Sequence, residues 1–435
     1  MSSYDEVIMC LDGTDETTGK LPVASSQQLL EEAAREELDS DDVTISLTAG
    51  SCKGDNYIGI VFRGRAECRR TEKHLNIIAK LPPQSEARRK QFFARPSFER
   101  EISFYTEIYP MMEEFQREKG IDTTDGEQAF NQIPRCLRTC LVECEEVILM
   151  RDLKEDGFDM FDRHKELSVE HFCMVIKALG RLHALSFALK DQQPERIERF
   201  RGMAELFTSR EVDEQMEVWF GMLITRALET LDPEKESDVY AKAKKALDGK
   251  FMDMVKDLTL GEAAEPYAVI CHGDCWNNNM LFKHENGVPV DFRLLDWQIS
   301  RYASPVLDLM YFIFSASNKA FRDQHYENLI DCYHQSLTSF LRRLGSDPER
   351  LFPRKALDQQ LKRFGRFGLL MAVMILPVIT TKSEDVPDLE KMAEKMENGF
   401  DITEEANQFR SEETESTYRQ KMSDCCRDMV QFGYI

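Results

Sequence analysis

Asp274 and Asn279 lie five residues apart in a polar loop, VICHGDCWNNNMLF, at residues 269–282. A carboxylate followed at that interval by an amide is the order of base and metal ligand in a kinase catalytic loop. Phosphoryl transfer explains the pairing: the carboxylate orients an attacking hydroxyl, and an amide oxygen close by helps to hold Mg2+. One amide does not hold a cation alone, so a second oxygen ligand is expected downstream. The apolar run Phe292-Arg293-Leu294-Leu295 ends in Asp296-Trp297-Gln298. Asp296 is therefore the expected metal-binding carboxylate, with Trp297 where the phenylalanine of an Asp-Phe-Gly motif stands. His-Gly-Asp alone is a common loop tripeptide, and an Asp after a strand is often only a turn residue. The two together, in this order and both behind strands, favour the kinase reading. His272 reads as a support, because a ring one residue before Gly273 can hydrogen-bond the metal-binding loop, and Asp274 already fills the place of the base.

Strands must position this loop. Ala268, Val269 and Ile270 lead into it, and Leu281 with Phe282 resume behind it, so a polar segment is held between two short buried elements. Nearer the N-terminus, residues 43–47 alternate, Gly50, Gly54 and Asn56 interrupt, and residues 58–62 resume as a second strand. Glycines let backbone amides approach phosphate oxygens, which makes Gly54 and Asn56 candidate phosphate contacts. The spacing is neither a Walker loop nor a full protein-kinase glycine loop, and an ordinary hairpin turn would also use it. A third strand at 75–81 carries Lys80 near its end. A lysine there is often a solvated edge, but the helix expected at 97–107 supplies Glu99 and Glu101, and kinases pair their phosphate-binding lysine with an acid of the next helix. Strands are expected at 133–142 and 147–150, then a long buried helix at 169–190 in which His183 reads as a core histidine. Cys136, Cys140 and Cys144 recur every four residues, outside the commonest paired-cysteine zinc spacing, and read as core thiols.

The string HGDxWxxN from His272 to Asn279, the Leu-Asp-aromatic-Gln from Leu295 to Gln298, and Pro305 with Asp308-Leu309 resemble the ecdysteroid-kinase-like group of the choline and aminoglycoside kinase-like superfamily. The resemblance runs from about residue 27 to the C-terminus. It implies an α+β, two-lobed protein-kinase-like fold, with a flexible tail at 1–24, a small β-rich N-lobe at 25–152 and a large, mostly helical C-lobe at 153–435. It implies ATP and Mg2+ as cofactors and phosphorylation of a hydroxyl on a small-molecule alcohol, ecdysteroids being the best-known substrates. Through Glu101-Ile-Ser-Phe104-Tyr105 it places the partner of Lys80 at Glu101, and it makes Asp308 an acid that braces the catalytic loop. It also implies a hinge at 149–153, with Met150 and Asp152 as candidate adenine contacts. Arg151 departs from the Glu-Asp-Leu usual there, which casts doubt on a side-chain role at that position and leaves backbone recognition open. Helices within 194–260 are implied to form the acceptor pocket. The rival readings are a choline-type or aminoglycoside-type kinase with a cationic acceptor, and a non-catalytic, pseudokinase-like binding protein. Lys80, Asp274, Asn279 and Asp296 are all present, which speaks against the latter. A protein kinase is disfavoured by the missing Arg between His272 and Asp274 and by the lack of an Ala-Pro-Glu segment after Asp296.

A length of 435 residues allows two or three domains or one two-lobed enzyme. Hydrophobic content of 42% with 31% charged residues is ordinary for a soluble globular chain. The formal net charge of −22 argues against nucleic acid as a partner, which would call for clustered Lys and Arg. The longest apolar run, 367–379, is thirteen residues, too short to span a bilayer. The first twenty residues lack the basic and apolar regions of a secretory signal, and twelve cysteines in such a chain point to reduced thiols. The expectation is a cytoplasmic monomer without a membrane span.

Overall fold

Alternation along the third strand decides how the N-terminal half packs. Ile77, Ala79 and Leu81 are buried on one face of the pleat, so that face needs a cover. Helix α1 (Ala24–Leu38) provides it: Leu30, Ala33, Ala34 and Leu38 share one core with Leu47, Phe62, Ala66, Ile77, Val147 and Leu149. The helix stops where Asp39 turns left-handed at φ 51°, its N–H bonding back to Glu36. The computed structural model describes residues 19–50, 59–91, 93–162, 165–203, 205–209, 214–381 and 412–435. Gly54, Asn56 and residues 1–18 of the expected tail lie outside these.

The sheet beneath α1 is antiparallel and five-stranded. Its order is β1 (Val43–Ala49), β2 (Ile60–Cys68), β3 (His74–Leu81), β5 (Val147–Arg151) and β4 (Cys136–Cys140). Two of its strands differ from the sequence expectation. The second strand runs well beyond 58–62, because Phe62, Ala66 and Cys68 keep one buried face. The strand expected at 133–142 shortens to β4, where the register shifts between Cys136 and Arg138. Helix α2 (Ala94–Ser103) starts earlier than expected, since Pro96 sits in the first turn, where a missing N–H costs nothing. It continues through a π-helical turn, Phe104–Ile108, into Tyr109–Glu118.

The chain forms two compact units. Described residues up to 106 and residues 133–159 belong to the first, and residues 107–132, 160–381 and 412–435 to the second. The second is built mainly from helices. Helix α3 (Val169–Gln192) packs along α5 (Lys319–Arg343), and α4 (Val306–Ala316) lies against α6 (Phe367–Thr380), which in turn meets α7 (Glu412–Gln431). Gly180 allows the α3–α5 contact, because a Cβ there would stand 3.0 Å from the Tyr333 carbonyl oxygen. Helix α3 is long and apolar enough to cross a membrane by length and composition, and most of it is buried inside the unit. The whole is an α+β fold, a sheet-bearing unit beside a mostly helical one in sequence, the class expected above.

Candidate active site

Short strands hold the 272–279 loop at both ends. Strand β6 (Val269–Cys271) pairs with β9 (Arg301–Ala303), Cys271 opposite Arg301. Behind the loop, β7 (Met280–Glu285) pairs with β8 (Val288–Leu294), Met280 opposite Leu294, and the N–H of Leu295 donates to the Asn279 carbonyl at 2.9 Å. The loop and the segment carrying Asp296 are thus stitched together by backbone. Gly273 is required at the bend. It adopts φ +92°, and a Cβ there would lie 2.1 Å from the Ile299 carbonyl oxygen. Asp296 also takes a left-handed backbone, φ 64°, a conformation Asp tolerates better than most residues.

The Asp274 carboxylate is fixed at both oxygens. Tyr311 on α4 donates its hydroxyl to Oδ1 at 2.9 Å, and Asn279 donates Nδ2 to Oδ2 at 2.8 Å and to the Asp274 carbonyl at 2.9 Å. Burial, and next the charge of the neighbouring Asp296, push Asp274 up to about 6, while the bonds from Tyr311 and Asn279 pull it down. The structure therefore brings Asp274, Asn279 and Asp296 together. Arg301, buried in β9, donates Nη2 to the Gly273 carbonyl at 3.3 Å and sits 3.4 Å from Glu205.

Asp308 accepts from the loop it was expected to brace. Its Oδ2 takes the N–H of His272 at 2.7 Å and its Oδ1 that of Gly273 at 2.9 Å, while His183 Nε2 lies 3.2 Å from Oδ2. His183 is a core histidine whose Nδ1 also meets the Tyr333 hydroxyl at 2.8 Å. Burial works to raise Asp308, but the His183 hydrogen bond, the nearby imidazoles and the Gly273 N–H together hold it below the usual carboxylate range. His272 Nε2 meets the Leu295 carbonyl at 2.9 Å, and its Nδ1 accepts from the Asp274 N–H at 3.2 Å. A carbonyl can only accept, so the proton sits on Nε2, and burial keeps the ring neutral by lowering its pKa. One imidazole thereby ties the 272–279 loop to the residue before Asp296.

In the first unit, Lys80 Nζ donates to Glu101 Oε2 at 2.6 Å, both side chains buried. Strand alternation explains it: Ile77, Ala79 and Leu81 face α1, so Lys80 faces the other side, where α2 carries Glu101. Glu99 instead pairs with Arg95 on the surface. Met150 is buried in β5 between Ile78 and Cys136. Asp152 is engaged within its own unit, accepting from Arg63 Nε at 2.5 Å and from the Lys154 N–H at 3.0 Å, and its own N–H donates to the Asn76 carbonyl.

The donor set suits a hard cation. Asn279 gives its Nδ2 to Asp274, so its amide presents Oδ1 as the remaining polar atom, and Asp296 adds carboxylate oxygens, the ligands Mg2+ prefers. Sequence reasoning missed Tyr311 and Arg301. The signal for Tyr311 was its place three residues after Asp308, on the same helical face; Arg301 offered none beyond a charge inside a short apolar strand.

Among curated proteins, none matches this sequence. Solved structures do resemble it. A Plasmodium vivax ethanolamine kinase is similar at 10% identity and a TM-score of 0.43, covering 100% of this chain and 96% of that chain. A GDP complex of aminoglycoside 2'-phosphotransferase-IIIa is similar at 11% identity and a TM-score of 0.37, covering 90% of this chain and 98% of that one. The family model that matches spans residues 53–346, from the first-unit sheet through the 272–279 loop and Asp308, and the chain belongs to the ecdysteroid kinase-like family.

Proposed function

We propose that this chain uses ATP and Mg2+ to phosphorylate a hydroxyl of a small-molecule alcohol, with a polar steroid of the ecdysteroid kind as first candidate. The observation that carries the reading is Asp274, a carboxylate held at both oxygens and raised to about 6. Such a group is ionised at neutral pH, fixed in direction, and close enough in pKa to accept or orient the proton of an attacking hydroxyl. Asn279 and Asp296 are assigned to Mg2+, which when bound would neutralise charge on the transferring group. Lys80, kept in place by Glu101, is assigned to the nucleotide phosphates and Met150 to the adenine side, while Asp152 acts as a brace for Arg63. Residues 25–152 then handle nucleotide and residues 153–435 the catalytic loop and acceptor, in the cytoplasm. Family membership supports phosphoryl transfer to a small molecule and is the sole basis for the steroid acceptor.

The test is incubation with Mg-ATP and a panel of polar steroids, choline and plant-derived glycosides, read by mass spectrometry. Gain of one phosphate on a steroid hydroxyl supports the reading. Modification of choline alone would move the acceptor to the cationic class, and no modification would leave a nucleotide-binding scaffold.

A further inference from the structure

The catalytic loop has a second face. Asn277, three residues after Asp274, lines a cavity of about 380 Å3 in the second unit, and none of Asp274, Asn279 and Asp296 is among its lining residues. That volume falls in the range of small-molecule sites, about 300–1,000 Å3. Asn277 is 7% exposed and its Oδ1 has no hydrogen-bond partner among the described residues. A buried amide oxygen left so calls for a donor from whatever fills the space.

Lys421 of α7 lines the same cavity. Burial, and next the Arg322 cation, hold its ammonium below the usual lysine range. The other charged groups of the lining already have partners. Lys165 lies 3.7 Å from Asp162, and Glu166, which favours the charged form of Lys421 from a distance, accepts a hydrogen bond from Asn318. No carboxylate comes within ion-pair distance of Lys421 among the described residues. The lining also has an apolar part: Phe172 and Phe321, their ring centroids 4.4 Å apart, with Ile379.

We infer that this cavity is a ligand site separate from the reacting groups, built for a small organic carboxylate that carries a hydroxyl on an apolar body. Its carboxylate would meet Lys421, its hydroxyl would donate to Asn277 Oδ1, and its body would lie on Phe172 and Phe321. A single ammonium with no carboxylate at ion-pair distance among the described residues matches one negative charge; a phosphate ester would bring nearly two into a half-apolar space.

The probe is 3-(4-hydroxyphenyl)propanoate, titrated against the full chain by calorimetry and ligand-observed NMR with no nucleotide or acceptor present. The outcome is therefore independent of whether the chain transfers phosphate. Saturable one-to-one binding is expected. It should weaken about ten-fold or more for the alcohol lacking the carboxylate, 3-(4-hydroxyphenyl)propan-1-ol, and for Lys421→Met, and about three-fold or more for 3-phenylpropanoate, which lacks the hydroxyl. Ala316→Leu, which fills the cavity, should abolish it. No saturable binding, equal affinity for acid and alcohol, or unchanged affinity in either variant with a native melting curve overturns the proposal. Should both variants fail to fold, the acid-against-alcohol comparison on the unmodified chain decides it.

Discussion

The hydroxyl of Tyr311 donates to Oδ1 of Asp274 at 2.9 Å, so the oxygen of the expected base that Asn279 does not hold is held from α4. Phenylalanine at 311 would remove a bond that lowers the Asp274 pKa. In the unmodified chain the acid limb of kcat/KM should lie near pH 6, because turnover needs the ionised carboxylate. In Tyr311→Phe that limb should move to higher pH, and kcat should fall by roughly 3- to 10-fold at neutral pH through lost orientation. A pH–rate profile checks both, and an unmoved limb would show that Tyr311 does not act through Asp274.

Asp308 supports the loop by accepting two backbone N–H groups and facing His183. Asp308→Ala leaves these buried donors without an acceptor, and should cost roughly 2–5 kcal/mol in urea unfolding at pH 7. The folded pKa of Asp308 is lowered, so its ionised form contributes stability that is present above the ordinary Asp value and lost as pH falls through the lower folded value. The deficit of Asp308→Asn relative to the unmodified chain should accordingly shrink in acid. A deficit that does not change with pH would contradict this account of Asp308.

A methyl group at Gly273 would enter the Ile299 carbonyl, 2.1 Å away, at φ +92°. Gly273→Ala should therefore displace the loop, lowering stability by at least about 2 kcal/mol and turnover more than nucleotide affinity. Thermal unfolding beside nucleotide titration would measure the split, and a variant with native turnover would show the bend to be replaceable.

The grouping of Asp274, Asn279 and Asp296 was legible in the sequence because few residue types suit a hydroxyl-orienting base or a hard-cation ligand, and their order survives in the linear string. Lys80 and Glu101 were legible for a similar reason, since strand alternation and the helix behind it settle which faces meet. What stayed hidden were contacts that depend on tertiary approach. Tyr311 reads as one more apolar residue of a buried helix, and Arg301 as a stray charge, until Gly273 and Asp274 are brought beside them. The ion pair of Asp152 belongs with them: Arg63, far away in sequence, takes its carboxylate.

That contrast between Glu101 and Asp152 can be measured. Glu101→Gln keeps the shape of the Lys80 contact but removes its charge, and should weaken nucleotide binding about ten-fold. Asp152→Asn should leave nucleotide affinity within about two-fold while lowering stability by about 1 kcal/mol, the worth of an ion pair whose guanidinium is partly exposed. Equal effects of the two substitutions on nucleotide affinity would return Asp152 to the nucleotide site.

Asp274→Asn is the most direct test of the account. Its pKa is raised to about 6 from an ordinary 3.8, so the ionised carboxylate costs stability at neutral pH, a cost relieved as pH falls through about 6. The neutral amide removes that cost, and the unfolding midpoint at pH 7.5 should not drop. With nucleotide affinity measured in parallel, phosphate transfer from Mg-ATP should fall about 100-fold or more while nucleotide binding stays within about two-fold. Transfer retained at the native rate by this variant would contradict the assignment of Asp274 and the mechanism built on it.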